Sequence, residues 1–304
     1  MLPKISRRSF LRGTLAGTLL SGSLFAAESE RSRNVWALLS DTHIPGDRTK
    51  LGGNPKVNPV DHLATVRADV LSGTVGRPGG VIVTGDCAYL QGQSADYDTL
   101  LDEFTPFREA EIDVRFVMGN HDNRKNYLDA LARKAGQEPL KKIPERLHSV
   151  IETPKANLIL LDSLDETDKT PGRFGEAQIQ WLETQLDARK DKPTILFAHH
   201  NLDYTGQIAK NPHALLDTQD FWKVVKDRRQ VKAYIFGHTH VWQHLKKDGV
   251  HLVSLPPTAW RFDQTQPCGW VLCELKDDGV KLTLRSMDPE HPKHDQVLEL
   301  TWRN

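Results

Sequence analysis

Val35-Trp-Ala-Leu-Leu-Ser-Asp41-Thr-His43 is an apolar run of strand length that ends on two metal-binding side chains. The arrangement recurs down the chain. Val81-Ile-Val-Thr84 leads into Gly85-Asp86, and Val114 to Met118 into Gly119-Asn120-His121-Asp122. Thr194 to Ala198 leads into His199-His200, and Ala233 to Phe236 into Gly237-His238-Thr239-His240. Uniformly apolar runs of this length read as strands buried on both faces of a sheet. Strand exits hold side chains rigidly beside open loops, so ligands placed there converge on one sheet edge. Asp41, His43, Asp86, Asn120, His199, His238 and His240 together suffice for two metal ions, and they point to a metal-dependent hydrolase.

Helical stretches separate these runs. Asn58-Pro59 begins one with an Asn cap and Pro at the first helical position. Ser94 to Phe107, Lys125 to Lys134, Gly175 to Ala188 and Thr218 to Asp227 follow, and Ile179, Leu182 and Leu186 form an apolar stripe. Leu158 to Leu161 adds a further strand. Beyond His240 the pattern changes to hairpins, marked by Lys247-Asp248-Gly249 and Asp277-Asp278-Gly279. Strand–helix units followed by hairpins predict an α/β fold, a four-layer αββα sandwich of two mixed sheets flanked by helices. No repeat or low-complexity linker interrupts residues 33–304, which read as a single domain. The long loop from Ile44 to Val57 directly follows the first ligand pair, a position where loops tend to be functional. Its Arg48, Lys50 and Lys56 are either solvated charges or contacts to a substrate phosphate.

Residues 1–27 have the layout of a bacterial export signal. Ser6-Arg7-Arg8-Ser9-Phe10-Leu11 is a twin-arginine pattern, and Gly13 to Ala27 is weakly apolar and ends on the Ala26-Ala27 pair. The expectation is a periplasmic or secreted protein. No stretch is long and apolar enough to span a bilayer, so no transmembrane segment is expected in the mature protein. The chain carries 40 basic and 40 acidic residues, and loss of Lys4, Arg7, Arg8 and Arg12 with the signal leaves 36 against 40. That mild acidity argues against stable nucleic-acid binding, which depends on a basic face. Oligomeric state is not legible. The cysteines, Cys87, Cys268 and Cys273, cannot make a disulfide framework; Cys268 and Cys273 either pair after export or are strand residues.

From about Leu38 to Pro256 the order and spacing of these motifs resemble the calcineurin-like metallophosphoesterases. The resemblance implies that Asp41, His43 and His240 hold one ion, that Asn120, His199 and His238 hold the other, and that Asp86 bridges them. Mixed carboxylate, imidazole and amide ligands suit Mn, Fe or Zn, and two ions about 3.5–4 Å apart acidify a shared water. The resemblance further implies that His121 protonates the leaving oxygen or stabilises the phosphoryl charge, with Asp122 to orient it. His200 and Arg124 are the expected substrate contacts.

Gly172 to Leu186 followed by Lys192-Pro193, and Asp86-Cys-Ala-Tyr89 followed by the helix from Ser94, are similar to the cyclic-nucleotide and glycerophosphodiester phosphodiesterase branch. That branch continues its His-His pair with two prolines, where this chain has Asn201-Leu202. The resemblance implies hydrolysis of a small-molecule phosphodiester. Two other readings stay open. One is a purple-acid-type phosphomonoesterase, since Asp86-x-x-Tyr89 has the spacing of a phenolate ligand, although His43 already fills that coordination slot. The other is a non-catalytic metal-binding scaffold.

Overall fold

The computed structural model describes residues 33–74, 76–142, 144–203 and 213–303. The twin-arginine segment lies outside the described residues. Twelve strands form two six-stranded sheets. The first runs β12 (Val297–Thr301), β11 (Gly279–Ser286), β10 (Gly269–Leu275), β1 (Val35–Leu39), β2 (Gly80–Val83), β3 (Asp113–Phe116). The second runs β4 (Ser149–Glu152), β5 (Asn157–Leu160), β6 (Thr194–Phe197), β7 (Val231–Phe236), β9 (Val250–Ser254), β8 (Gln243–Lys247). Both sheets are mixed: β1–β2–β3 and β5–β6–β7–β9 are parallel, and the remaining pairs are antiparallel.

Side-chain alternation along the buried strands sorts the core into layers. Leu38 and Ile82 from the first sheet meet Leu160, Phe197, Ile235 and Val253 from the second, which fills the space between sheets. Their neighbours Ala37, Leu39, Val81 and Val83 face outward, beneath α1 (Pro59–Ser72) and α2 (Ser94–Glu103), against Leu63, Val66, Leu100 and Phe104. On the far side Ile159, Leu196 and Tyr234 pack under α5 (Glu176–Asp187) and α6 (Thr218–Val225), including the stripe of Ile179, Leu182 and Leu186. The four layers expected from the sequence are therefore present. Truncating a side chain such as Leu38, which is wholly buried, would cost about 2–5 kcal/mol.

Local signals explain most boundaries. The Asn58 side chain accepts from Val60 N–H, and Gly73 closes α1 in a left-handed conformation. The stretch from Ser94 to Phe107 is two helices rather than one: α2 stops at Glu103, and α3 (Thr105–Glu109) begins a new axis. Pro106 is the cause, because its ring would collide with the preceding turn of a continuous helix. Asn123 caps α4 (Arg124–Lys134) through Asn126 N–H. Strand β4 escapes a pattern search because it is a partly exposed edge strand. The hairpins from Gly269 to Trp302 extend the sheet that holds β1, with β10 pairing antiparallel to it, and they do not cover the site. Cys268 and Cys273 are both free and buried. No helix among the described residues is long and apolar enough to cross a membrane.

Candidate metal centre

The parallel strands deliver their motifs to one rim. Asp41 and His43 follow β1, Asp86 follows β2, Asn120 follows β3, His199 follows β6, and His238 and His240 follow β7. Asp41, His43, Asp86, His238 and His240 all have positive φ, from 44° to 67°, in the left-handed region that L-residues with a Cβ rarely occupy. Such strain persists where the surroundings over-determine the backbone, and here it turns the side chains inward. Two glycines permit the crowding. A Cβ on Gly119 would collide with the Asp86 backbone and carboxylate, and one on Gly237 with Ser40 and Asp41.

Three groups of side chains have ligand atoms within 4.8 Å of one another: Asp41, His43 and His240; Asp41, Asp86 and His199; His199, His200 and His238. In the first region the Nε2 atoms of His43 and His240 are 3.4 Å apart, and His240 Nε2 is 3.2 Å from Asp41 Oδ1. In the second, His199 Nε2 is 3.2 Å from Asp86 Oδ1, Asn120 Oδ1 and His238 Nδ1. Asp86 lies between them, with Oδ1 toward His199 and Oδ2 3.8 Å from His43 Nε2.

The opposite ring nitrogens decide what faces inward. His43 Nδ1 donates to Tyr89 O at 2.9 Å, His199 Nδ1 to Thr84 O at 2.8 Å and His240 Nδ1 to Trp260 O at 2.5 Å. His238 is reversed, with Nε2 donating to His213 O at 3.0 Å. A carbonyl only accepts, so each of these nitrogens carries the proton and the inward nitrogen of the neutral ring presents a lone pair. With the rings neutral, their inward lone pairs converge beside the Asp41 and Asp86 carboxylates, which accept from the main-chain N–H groups of His238 and His121. A cation at each focus satisfies them, and carbonyl partners of this kind orient metal-binding imidazoles. The residues present fit metal ions.

Charge follows the same logic. Burial pushes His43 down to about 4 and His238 down to about 3, so both are neutral near pH 7. Burial opposes ionisation of Asp86, yet His199 outweighs it and holds the carboxyl well below its usual range. Burial likewise opposes charge on His199, but Asp86 and Asp41 push it up to about 9. Without metal, a proton on His199 offsets the carboxylates, and a bound cation would displace it.

A cavity of about 660 Å³ opens over this rim, lined in part by His43, Asp86, Asn120, His121, His238 and His240. Residues 258–262 form its other wall and buttress one ligand group. Thr258 N–H donates to Ser40 O at 2.8 Å and Ala259 N–H to Asp41 O at 3.0 Å. The Trp260 ring stacks on His43 with centroids 4.2 Å apart, and Phe262 stacks on His240 at 4.1 Å.

A family model described as calcineurin-like phosphoesterase matches residues 37–242, more than half of the chain. The chain belongs to the calcineurin-like phosphoesterase family. This phosphoesterase is 28% identical over 182 residues to the 3',5'-cyclic adenosine monophosphate phosphodiesterase CpdA of Vibrio vulnificus, covering 60% of this chain and 62% of that protein. The match thus spans less than two thirds of that relative's length. It is 27% identical over 225 residues to the glycerophosphodiester phosphodiesterase GpdQ of Enterobacter lignolyticus, covering 73% of this chain and 76% of that one. In fold it is similar to a dimetal phosphatase from Danio rerio, with a TM-score of 0.64 over 88% of this chain and 99% of that chain at 17% identity. Family membership supports a phosphoric ester hydrolase and implies divalent metal ions, for which the side-chain groups above are the candidates.

Several residues of this phosphoesterase have partners other than those expected. Arg124 does not line the cavity: it forms a two-pronged pair with buried Asp162, at 2.6 and 2.9 Å, and also donates to Leu164 O. Asp122 does not touch His121. Its buried carboxylate accepts from the backbone N–H groups of Cys87, Ala88 and Gly119 and from Tyr97 Oη, binding two ligand loops together. His121 instead donates from Nδ1 to Leu90 O at 2.6 Å and lies 3.6 Å from Asp168, a neighbour no motif announced. His200 is fully buried, with its ring nitrogens on Ser163 Oγ and Thr170 O. The Tyr89 hydroxyl donates to Leu51 O at 3.0 Å, away from the cavity, which leaves the phenolate reading without support. Arg48 pairs with Glu103, and Lys50 sits over the Tyr89 ring.

Proposed function

We propose that this protein is a binuclear phosphodiesterase for small phosphodiesters of the cyclic-nucleotide or glycerophosphodiester type, exported by the twin-arginine route to the periplasm or beyond. The observation that carries the two-ion reading is the position of Asp86, whose oxygens face two separate groups of inward lone pairs. In this reading Asp41, His43 and His240 hold one ion, Asn120, His199 and His238 the other, and Asp86 spans both. Mn, Fe or Zn are the ions that this donor set suits. When bound, such ions neutralise phosphoryl charge and make water acidic enough to attack near neutral pH.

The chain's own groups supply the remainder. The His121 backbone N–H donates to Asp86 Oδ1 at 2.9 Å, which orients that carboxylate. Its ring, anchored through Nδ1 to Leu90 O, turns Nε2 toward the cavity it lines. A proton carried at Nε2 is the one the departing alkoxide requires, while Nδ1 stays fixed on Leu90 O with Asp168 3.6 Å away. The diester preference is supported by the CpdA and GpdQ relatives and by the position of Tyr89 outside the cavity.

Turnover of bis-p-nitrophenyl phosphate against p-nitrophenyl phosphate, with 3',5'-cyclic AMP and glycerophosphocholine alongside, tests the reading. Diester turnover should dominate, and a strong monoester preference would defeat it. Metal analysis of chelator-free protein should return two equivalents per chain. Fractionation of cells producing the full chain, against an Arg7→Lys, Arg8→Lys variant, tests export.

A further inference from the structure

We propose that Phe262 is a stacking platform for a planar nucleobase, so that this site favours nucleotide esters over esters of aliphatic alcohols. The inference rests on the phosphoester reading of the cavity and narrows its substrate class. Phe262 is 70% exposed, the most exposed of the large apolar side chains among the described residues. One face of its ring lies on His240, 12° from parallel, and the rest is open to the cavity mouth. Leu90, 40% exposed, lines the same cavity. Apolar groups left open beside a functional cavity mark a recognition surface. The platform is held in place: Ala259 N–H is tied to Asp41 O, and the Arg261 guanidinium donates to Gln264 and to Gln266 O.

The chemistry of the wall selects the ligand. Stacking on His240 puts the Phe262 ring one ring-thickness from a candidate ligand, a gap that a ribose bridges between phosphate and base. Trp260 offers no second platform, because His43 and the Gly52-Gly53 backbone cover it. A quaternary ammonium is recognised by an aromatic cage of several faces, whereas a planar base needs one. None of the described lining residues is Lys or Arg.

The test uses the full chain as wild type, Phe262→Ala, Phe262→Leu and Phe262→Tyr, each with bound metal quantified. The readout is the ratio of KM for 3',5'-cyclic AMP to KM for glycerophosphoglycerol, with glycerophosphocholine as a third ester. The ratio should rise about tenfold in Phe262→Ala and Phe262→Leu, equivalent to about 1.4 kcal/mol, and return in Phe262→Tyr. A ratio unchanged by Ala, or restored by Leu, overturns the proposal, as does a larger loss with glycerophosphocholine than with cyclic AMP. Saturation-transfer NMR of adenosine on metal-free protein gives a readout independent of turnover. Base-proton signals should appear with wild type and vanish in Phe262→Ala. If no diester is hydrolysed the phosphodiesterase reading falls, while the adenosine signal still decides whether the platform exists.

Discussion

His43 and His240 face one another through their Nε2 atoms at 3.4 Å, while the far nitrogen of each donates to a main-chain carbonyl. Two lone pairs directed at one another repel, and the arrangement is stable only with positive charge between them. Metal removal should therefore weaken the fold as well as abolish turnover. Metal at one hundred times its Kd should stabilise the protein by about 2.7 kcal/mol. That corresponds to a rise of about 5–10 °C in Tm over chelated protein, read by differential scanning fluorimetry. An unchanged Tm would mean that the rings do not share a cation.

Asp86→Ala should remove the carboxylate that serves both groups of ligands. Outer partners of metal ligands alone carry about 10–100-fold in affinity, so the loss here should exceed about 100-fold. Metal content by mass spectrometry after dialysis checks this, and retention of full metal would refute the bridging role.

Asp122→Ala should act on stability before chemistry. It strands the N–H groups of Cys87, Ala88 and Gly119 and the Tyr97 hydroxyl, all buried. Each unsatisfied buried donor costs about 1–3 kcal/mol, so for four of them a loss of at least about 4 kcal/mol is expected in urea unfolding, with Asp122→Asn intermediate. A variant of wild-type stability and low kcat would instead favour a direct catalytic role.

Arg124→Ala should leave Asp162, which is wholly buried, without its cation. Breaking a buried pair from one side costs about 3–5 kcal/mol. KM for the diester should stay within about twofold of wild type (a factor of two is about 0.4 kcal/mol). A tenfold rise in KM at unchanged stability would return Arg124 to the substrate.

Glu103 should carry part of the acid sensitivity. Burial raises its carboxyl, but Arg48 and Arg67 outweigh burial and hold it below the usual 4.5. A carboxyl lowered on folding stabilises the native state above its unfolded pKa, and that contribution is lost as pH falls through the folded value. The stability penalty of Glu103→Gln should thus be largest near pH 7 and shrink below about pH 4.5. A penalty independent of pH would show that packing, not charge, sets it.

The strands and their exits were legible in the primary structure because both reflect local physics. Buried strands need apolar runs, and Asp41, His43, Asp86, Asn120, His199, His238 and His240 each follow one. Asn58-Pro59 and Pro106 bear on helix starts and breaks within a few residues of themselves, although the pattern from Ser94 to Phe107 is continuous across the break. Long-range partnership leaves no such mark. Nothing beside Arg124 or Asp122 says that one side chain will be claimed by Asp162 and the other by three backbone amides. The same holds for Asp168 beneath His121, and for Trp260 and Phe262, which sit beyond the last motif in an irregular stretch. Residue type and periodicity thus determined the layers and the converging ligands. Only the folded chain decided which hydrogen-bond partner each polar side chain takes, because that choice depends on distances between segments far apart in sequence.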